Sequence, residues 1–437
     1  MKKVKHRASL LLVLVAVMVL GLGLYIFRFV SHGGEWASFA ANQNETSAHG
    51  KICDRNGKRL LTFSDGEKVY ADDWLTREST LHAVGDRDGN IGTGALSVFA
   101  SDLMGYNIVS GTNAARLGGT VKLSIDADVN AAAYSALDGR KGAVAVSDCD
   151  TGELVCMVSS TSFDPDDMPY SFDDEYYDGV YINRFLSSTY TPGSIFKLVT
   201  LAAAIENIDD LFDRTFTCEG ACVIDDTDIT CTSEHGEMTI EDALAVSCNC
   251  VFAELAVELG GETIQKYAEK YGLLDSVLID GVQSAKGSFT VHPEGSGELA
   301  WSGVGQSTDT VNATSFLRLM TAIANGGRAS ELTMLKSSKS ADKTRIMDPD
   351  TAEKLAEMMN YNVYLSYGEE NFPDIELYAK SGTAEVGSDI SPHAWFVGFA
   401  KAEGKTYAFT VIIENGGWGS SEAGYVANEV LQKVFFG

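Results

Sequence analysis

The chain has 437 residues, 45% of them hydrophobic, which is enough for substantial cores and two or three domains and excludes a disordered chain. Its formal charge of −28 argues against a nucleic-acid partner, which would require a basic face. The acidity is concentrated in runs such as 164–178 and 225–228, which read as solvated loops; neither has the Gly and terminal Glu spacing of a calcium loop.

Lys2, Lys3, Lys5 and Arg7 precede an uncharged stretch from Ala8 to Phe27. A helix of that length spans about 30 Å, the thickness of a bilayer core, and its basic end should stay in the cytoplasm. A cleaved signal peptide is the competing reading. The apolar run is long for one, and the nearest small-x-small candidate, Ser38-Phe39-Ala40, lies well past Arg28. Residues 1–30 are therefore expected to be a cytoplasmic tail and an uncleaved membrane anchor, with the rest of the chain outside the cytoplasm. Residues 31–117 read as a stalk (31–49, polar and Gly-bearing) and a small pedestal domain of short strands and turns with no strong helix.

A larger unit is expected over 118–437. Val121, Leu123 and Ile125 alternate as a strand, and Asp128–Leu137 reads as a helix. Two strands, Ala143–Ser147 and Leu154–Ser159, flank a turn at Thr151-Gly152. The middle is helical. Ser194–Glu206 follows Thr191-Pro192-Gly193, and Thr239 with Asp242 resembles a capping box before Ala243–Val246. Asn249–Leu259 ends at Gly260-Gly261, and Asn312–Ala324 ends at Gly326-Gly327. Strands return at Leu377–Val386, Ala394–Ala400 and Tyr407–Glu414, joined by turns at Ser388–Ser391 and Glu403-Gly404, before a last helix near Ala423–Phe435. Strands at both ends with helices between predict an α/β (α+β) fold, one antiparallel sheet covered by helices.

Outside the membrane the eight cysteines have access to disulfide chemistry. Cys218, Cys222, Cys231 and His235 form a C-x3-C-x8-C-x3-H run with a zinc-like look. The spacing is loose, and a disulfide among the three cysteines is the preferred expectation. Cys149 and Cys156 sit in or beside strand-like runs and read as small core residues.

Ser194 and Lys197 are the sharpest chemical pair. Ser-x-x-Lys at a helix start places both side chains on one face. A serine hydroxyl needs a base, and a lysine can serve once desolvation lowers its pKa. Free N–H groups at the helix start can also face a developing oxyanion. Ser247-Cys248-Asn249 falls at a helix–helix junction, where a hydroxyl can relay a proton and an amide can hold a peptide group. Lys380-Ser381-Gly382-Thr383 lies on a strand; its cation and hydroxyls suit a carboxylate, and Gly382 lets a ligand lie close. Each segment alone has an ordinary structural reading. Their joint occurrence, in this order, is the signal.

S-x-x-K, S-x-N and K-[ST]-G in that order resemble the motif set of penicillin-binding proteins and serine β-lactamases. Longer stretches resemble class B penicillin-binding proteins: GKICDRNG at 50–57, TGE at 151–153, SFDPDD at 162–167, NRFLSSTYTPGSIFK at 183–197, GVGQS at 303–307, AIANGG at 322–327 and HAWFVGFA at 393–400. The departures are Ser381 where Thr is commoner, Ser307 where Gly is usual and Asn130 where Gln is usual.

The resemblance implies a penicillin-binding transpeptidase domain and a D,D-transpeptidase acting on D-Ala-D-Ala stem peptides of peptidoglycan, with β-lactams as ligands. It implies that Ser194 attacks the penultimate D-Ala carbonyl. Lys197 takes the proton and Ser247 passes it to the leaving D-Ala. Asn249 orients the acyl side chain, while Lys380, Ser381 and Thr383 hold the terminal carboxylate beside Gly382. Backbone N–H groups of Ser194 and Thr383 form the oxyanion hole. The acyl group then passes to a neighbouring stem's amine, on strands made by a membrane glycan polymerase, with no metal or organic cofactor. His393 is expected to support its strand. The alternatives are a class D-type serine β-lactamase, which Asn249 disfavours, and a non-catalytic β-lactam sensor or wall-synthesis scaffold, which normally follows several spans and a signalling domain.

Overall fold

The computed structural model describes residues 2–43, 50–64, 67–104, 106–107, 111–112, 118–337, 339–387 and 390–437. The apolar N-terminal run forms helix α1 (Lys2–Gln43), in which Leu11–Ser31 is long and apolar enough to cross a membrane. The helix continues past the expected anchor, so the stalk is helical to Gln43, where Ala37, Ala40 and Ala41 favour that state. The rest of the stalk, 44–49, lies outside the described residues.

Strands β1 (Lys51–Cys53), β2 (Arg59–Ser64) and β3 (Glu67–Tyr70) form a small antiparallel set. The pedestal does contain a strong helix, contrary to expectation: α2 (Trp74–Val84), capped by Asp73 Oδ2, which accepts from the Thr76 N–H at 2.8 Å. It has no clear periodicity because Ser79 to Val84 are buried without interruption, which leaves no polar face to read. Strand β4 (Thr120–Lys122) pairs in parallel with β1, Ile52 opposite Val121, and so completes the small sheet from beyond residue 117.

After β4 come α3 (Ala127–Leu137), β5 (Gly142–Asp148), β6 (Leu154–Ser160) and α4 (Lys197–Asn207). A ribbon follows, made of β7 (Phe216–Cys218), β8 (Ala221–Ile224), β9 (Thr227–Thr230) and β10 (Gly236–Met238). Then come α5 (Ile240–Ala245), α6 (Asn249–Leu259), α7 (Ala313–Ala324), α8 (Pro349–Asn362), β11 (Glu376–Ala384), β12 (His393–Ala402), β13 (Lys405–Ile413) and α9 (Gly424–Phe436). The expected turn at Glu403-Gly404 joins β12 to β13; residues 388–389 of the other expected turn lie outside the described residues.

The main sheet is antiparallel throughout, in the order β11-β12-β13-β5-β6. Every residue of β5 and β6 is buried, as required of a sheet covered on both faces. Alternation divides them: Ala143 and Ala145 join a core with α4, α6 and α7, whereas Val144 and Val146 join a second core with α3 and α9. On β12, Trp395 and Val397 face the first core and Phe396 the second. Cys149 and Cys156 are buried, as expected.

Two of the conspicuous sequence stretches are structural clasps. Glu153 of TGE is fully buried and binds Arg55 of GKICDRNG at 3.2 Å and Lys336 at 2.7 Å. Asp164 of SFDPDD was read as part of a solvated loop. It is instead buried, and Arg77 of α2 grips both its oxygens at 2.6 Å. Asp225 and Asp226 do form an exposed turn, between β8 and β9, with both residues at positive φ.

The Arg77–Asp164 fork ties α2 to the larger unit. Arg77→Ala should leave Asp164 without its main partner and cost about 1.5–3 kcal/mol. Thermal unfolding should show a clearly lowered Tm, and an unchanged Tm would mean that the fork carries no stability.

Candidate active site

Ser194 sits in a 3-10 turn (Gly193–Phe196) that runs directly into α4, whose first residue is Lys197. The expected helix from Ser194 therefore begins with a tighter turn, in which residues i and i+3 eclipse; this aligns Ser194 with Lys197. Gly193 has φ 57°, and a Cβ there would stand 2.8 Å from the Thr383 carbonyl oxygen. The turn that carries Ser194 thus lies directly against β11. The same glycine donates its N–H to the Gly305 carbonyl at 2.9 Å. Ser194 itself is half-buried.

Lys197 is completely buried. Its Nζ donates to the Ser247 carbonyl at 2.7 Å, to Ser247 Oγ at 3.2 Å and to Asn249 Oδ1 at 2.7 Å. Burial brings its pKa down to about 7 from the usual lysine value. Lys380 is also completely buried, and its Nζ donates to Ser247 Oγ at 2.9 Å and to the Ser381 carbonyl at 3.0 Å. Burial, and then the Lys197 charge, push Lys380 well below the usual lysine range. Among the described residues neither ammonium has a carboxylate partner.

Ser247 is held by the end of α5. The Cys248 N–H bonds to the Ala243 carbonyl at 2.9 Å and the Ser247 N–H to the Leu244 carbonyl at 3.2 Å, which is a Schellman closure. Ser247 occupies its left-handed position at φ 57°, where glycine is usual. A side chain there costs about 1–2 kcal/mol, and here it carries the hydroxyl that both lysines share. Asn249 opens α6; its Oδ1 faces Lys197 and its Nδ2 donates to the Thr230 carbonyl at 2.7 Å.

On β11, alternation sends Lys380 and Gly382 to one face and Ser381 and Thr383 to the other. Gly382 packs so tightly that a Cβ would meet Ile195 Cγ2 at 3.0 Å and the Pro192 carbonyl at 3.1 Å. Ser381 Oγ accepts from the Tyr367 hydroxyl at 3.0 Å, and Thr383 Oγ1 accepts from the Gly419 N–H at 3.2 Å. β11 is an edge strand of the main sheet. The structure thus joins Ser247, Asn249, Lys197 and Lys380 in one hydrogen-bonded group, with Gly382 and Thr383 against the turn that carries Ser194. His393 is apart from it: its Nδ1 accepts from the Asn415 N–H at 3.0 Å and its ring meets Tyr190 edge-on, a strand-supporting role.

Two residues at this site have no role in the sequence reading. Gln306 donates from Nε2 to the Thr383 carbonyl at 2.9 Å and accepts from the Glu385 N–H at 3.1 Å, bracing β11. The GVGQS stretch contained that signal without its direction. Tyr367, which receives the Ser381 N–H at 2.8 Å, lies in a π turn after α8 and belongs to none of the quoted motifs.

The chain resembles known proteins in sequence and in fold. The chain is 26% identical over 335 residues to peptidoglycan D,D-transpeptidase PbpA of Mycobacterium tuberculosis, covering 68% of each chain. Its fold matches the D,D-transpeptidase domain of a peptidoglycan glycosyltransferase from Eggerthella lenta, with a TM-score of 0.72 and 25% identity over 88% of this chain and 97% of that one. It also matches the imipenem acyl-enzyme complex of penicillin-binding protein A from M. tuberculosis, with a TM-score of 0.76 and 22% identity over 88% of this chain and 98% of that one. The sequence profile described as the penicillin binding protein transpeptidase domain matches residues 142–435, more than half of the chain. The chain belongs to the penicillin-binding protein transpeptidase family.

Proposed function

We propose that this protein is a peptidoglycan D,D-transpeptidase that cross-links stem peptides through an acyl-enzyme on Ser194, and that β-lactams acylate the same serine. The carrying observation is the pair of buried lysines converging on one serine hydroxyl beside the nucleophile's turn. Lys197, near neutral pKa and without a counter-ion among the described residues, is suited to take the Ser194 proton. Ser247, bonded to both lysines, is suited to hand a proton to the leaving D-Ala. Asn249 holds Lys197 and orients the acyl side chain. Lys380 lacks a buried anion among the described residues, and the substrate's terminal carboxylate supplies one, with Ser381 and Thr383 as further donors. Gly382 lets the turn of Ser194 close against the strand, and the Ser194 and Thr383 N–H groups receive the oxyanion.

The D,D-transpeptidase names of the curated relatives favour this reading over a β-lactamase. In this reading residues 1–30 form the cytoplasmic tail and anchor, 31–117 the stalk and pedestal, and 118–437 the catalytic unit. The catalytic unit faces outward, and a membrane glycan polymerase supplies its strands.

Three outcomes test the assignment. Penicillin should leave an adduct on Ser194 that persists for many minutes, and Ser194→Ala should remove it while the protein stays folded; mapping the adduct to another residue overturns the nucleophile. Lys380→Ala removes a charge-assisted contact of about 1.5–3 kcal/mol, so acylation by penicillin and by stem peptide should each fall roughly tenfold or more. A loss confined to one ligand would contradict a shared carboxylate site. Lys197 is neutral above its pKa of about 7 and protonated below it. Acylation should therefore decline by about tenfold per unit as the pH falls below neutrality, and should fall again at alkaline pH as Lys380, whose pKa is lowered by burial, loses the charge that binds the carboxylate. A profile with no neutral inflection would remove Lys197 as the base.

A further inference from the structure

Beside the active site, outside the groups the reaction uses, lies a cluster of thiols and an imidazole. Cys218, Cys231, His235 and Cys248 each place a ligand atom within 4.8 Å of all the others. The set differs from the run legible in the sequence. Cys222 drops out of the quartet, and Cys248, at the centre of Ser247-Cys248-Asn249, enters it.

The ribbon explains the exchange. β7 pairs with β10 so that Cys218 stands opposite Gly236, and the His235 N–H bonds to the Cys218 carbonyl at 3.2 Å. β8 pairs with β9, and Cys231, just past β9, donates its N–H to the Gly220 carbonyl at 2.9 Å. These pairings bring positions 218, 231 and 235 to one end of the ribbon, against the α5–α6 junction that carries Cys248. The thiols are not joined to one another. Cys231 Sγ is 3.7 Å from Cys248 Sγ. Four ligands at about 2.3 Å from a tetrahedral zinc ion place their sulfurs roughly 3.8 Å apart, whereas a disulfide requires about 2.05 Å. His235 Nδ1 is buried with no hydrogen-bond partner among the described residues, a cost that a metal would relieve. The Asn249 N–H donates to Cys231 Sγ at 3.1 Å, and a donor of this kind orients a thiolate ligand.

We infer that Cys218, Cys231, His235 and Cys248 form a structural zinc site that fixes Ser247 and Asn249 in their catalytic positions. Three thiols coordinate as thiolates and release their protons, and the imidazole binds neutral, so four ligands close the shell and leave no open position for chemistry. The ribbon's strands are three or four residues long and pair only two by two, too little to be stable unaided, and a metal supplies the missing cross-link. Through Cys248 the same metal clamps the peptide between the two catalytic side chains and holds Ser247 in its left-handed conformation. The donor set carries the metal site by itself; only the effect on acylation rests on the transpeptidase reading.

The full-length protein, purified in detergent with its thiols reduced, should contain one zinc per chain by elemental analysis. Cobalt exchanged into it should give thiolate charge-transfer absorption and the strong visible bands of a tetrahedral site. Cys231→Ser and His235→Ala should lose the metal, while Cys222→Ser should keep it. Chelation should lower the Tm and slow penicillin acylation by roughly tenfold to 10²-fold, the cost of a small misplacement, with the adduct still on Ser194. The metal site is overturned if the wild-type protein takes up neither zinc nor cobalt, if Cys231→Ser keeps its zinc, or if peptide mapping of the isolated protein finds Cys231 in a disulfide. Unaltered acylation after zinc removal overturns the positioning role. Absence of any penicillin adduct, with or without zinc, speaks against the transpeptidase reading and leaves the metal result standing.

Discussion

Two fully buried lysines share one serine hydroxyl, and much of the surrounding structure serves to make that arrangement tolerable. A buried ammonium without an anion is costly, and two within reach of one oxygen are costlier still. The protein answers with oxygens in place of carboxylates: the Ser247 carbonyl and hydroxyl, Asn249 Oδ1 and the Ser381 carbonyl. A carboxylate there would hold Lys197 protonated and spoil it as a base. Neutral acceptors orient the amine and leave its pKa low. In the proposed function the uncompensated charge becomes a recognition device, because a ligand that brings a carboxylate to Lys380 would relieve it.

Holding that pair demands rigidity from three separate parts of the chain. The turn of Ser194 is fixed by the Gly193–Gly305 hydrogen bond, and a Cβ on Gly305 would fall 2.2 Å from the Gly193 carbonyl oxygen. Gln306, next in sequence, braces β11 at Thr383. One short stretch therefore sets the distance between Ser194 and the edge strand. Ser247 is placed by the closure of α5, and β11 by its long pairing with β12, where Lys380 stands opposite Val397. The two cores on either face of the sheet keep these parts in register.

The main sheet and most of its helices were legible because their signals are local: short apolar runs at 143–147 and 154–159 around a turn, a capping box at Thr239, glycines after Leu259 and Ala324. The catalytic motifs were legible because their chemistry needs particular residue types in a fixed order. What was missed depends on tertiary contacts. Helix α2 hides its period by burying consecutive residues. Asp164 reads as one more acid in a loop until Arg77, 87 residues away, closes on it. Tyr367 reaches Ser381 from a turn with no motif of its own. Cys248 comes within 4.8 Å of Cys218, Cys231 and His235 only once the ribbon folds back on the α5–α6 junction, so spacing within 218–235 could not include it.

The charge distribution resolves an apparent conflict in this enzyme. A chain with net charge −28 should disfavour an anionic stem peptide near its surface. Exposed charges are screened beyond about 8 Å at physiological salt, whereas a buried charge close to its ligand is screened far less. In the proposed function, attraction at Lys380 would therefore act only at close range, on a substrate already beside the edge strand β11. Binding would then select for a carboxylate at the right distance from Ser194 rather than for anions in general, and the acidic exterior would sharpen that choice by discouraging anions that cannot reach the buried cation.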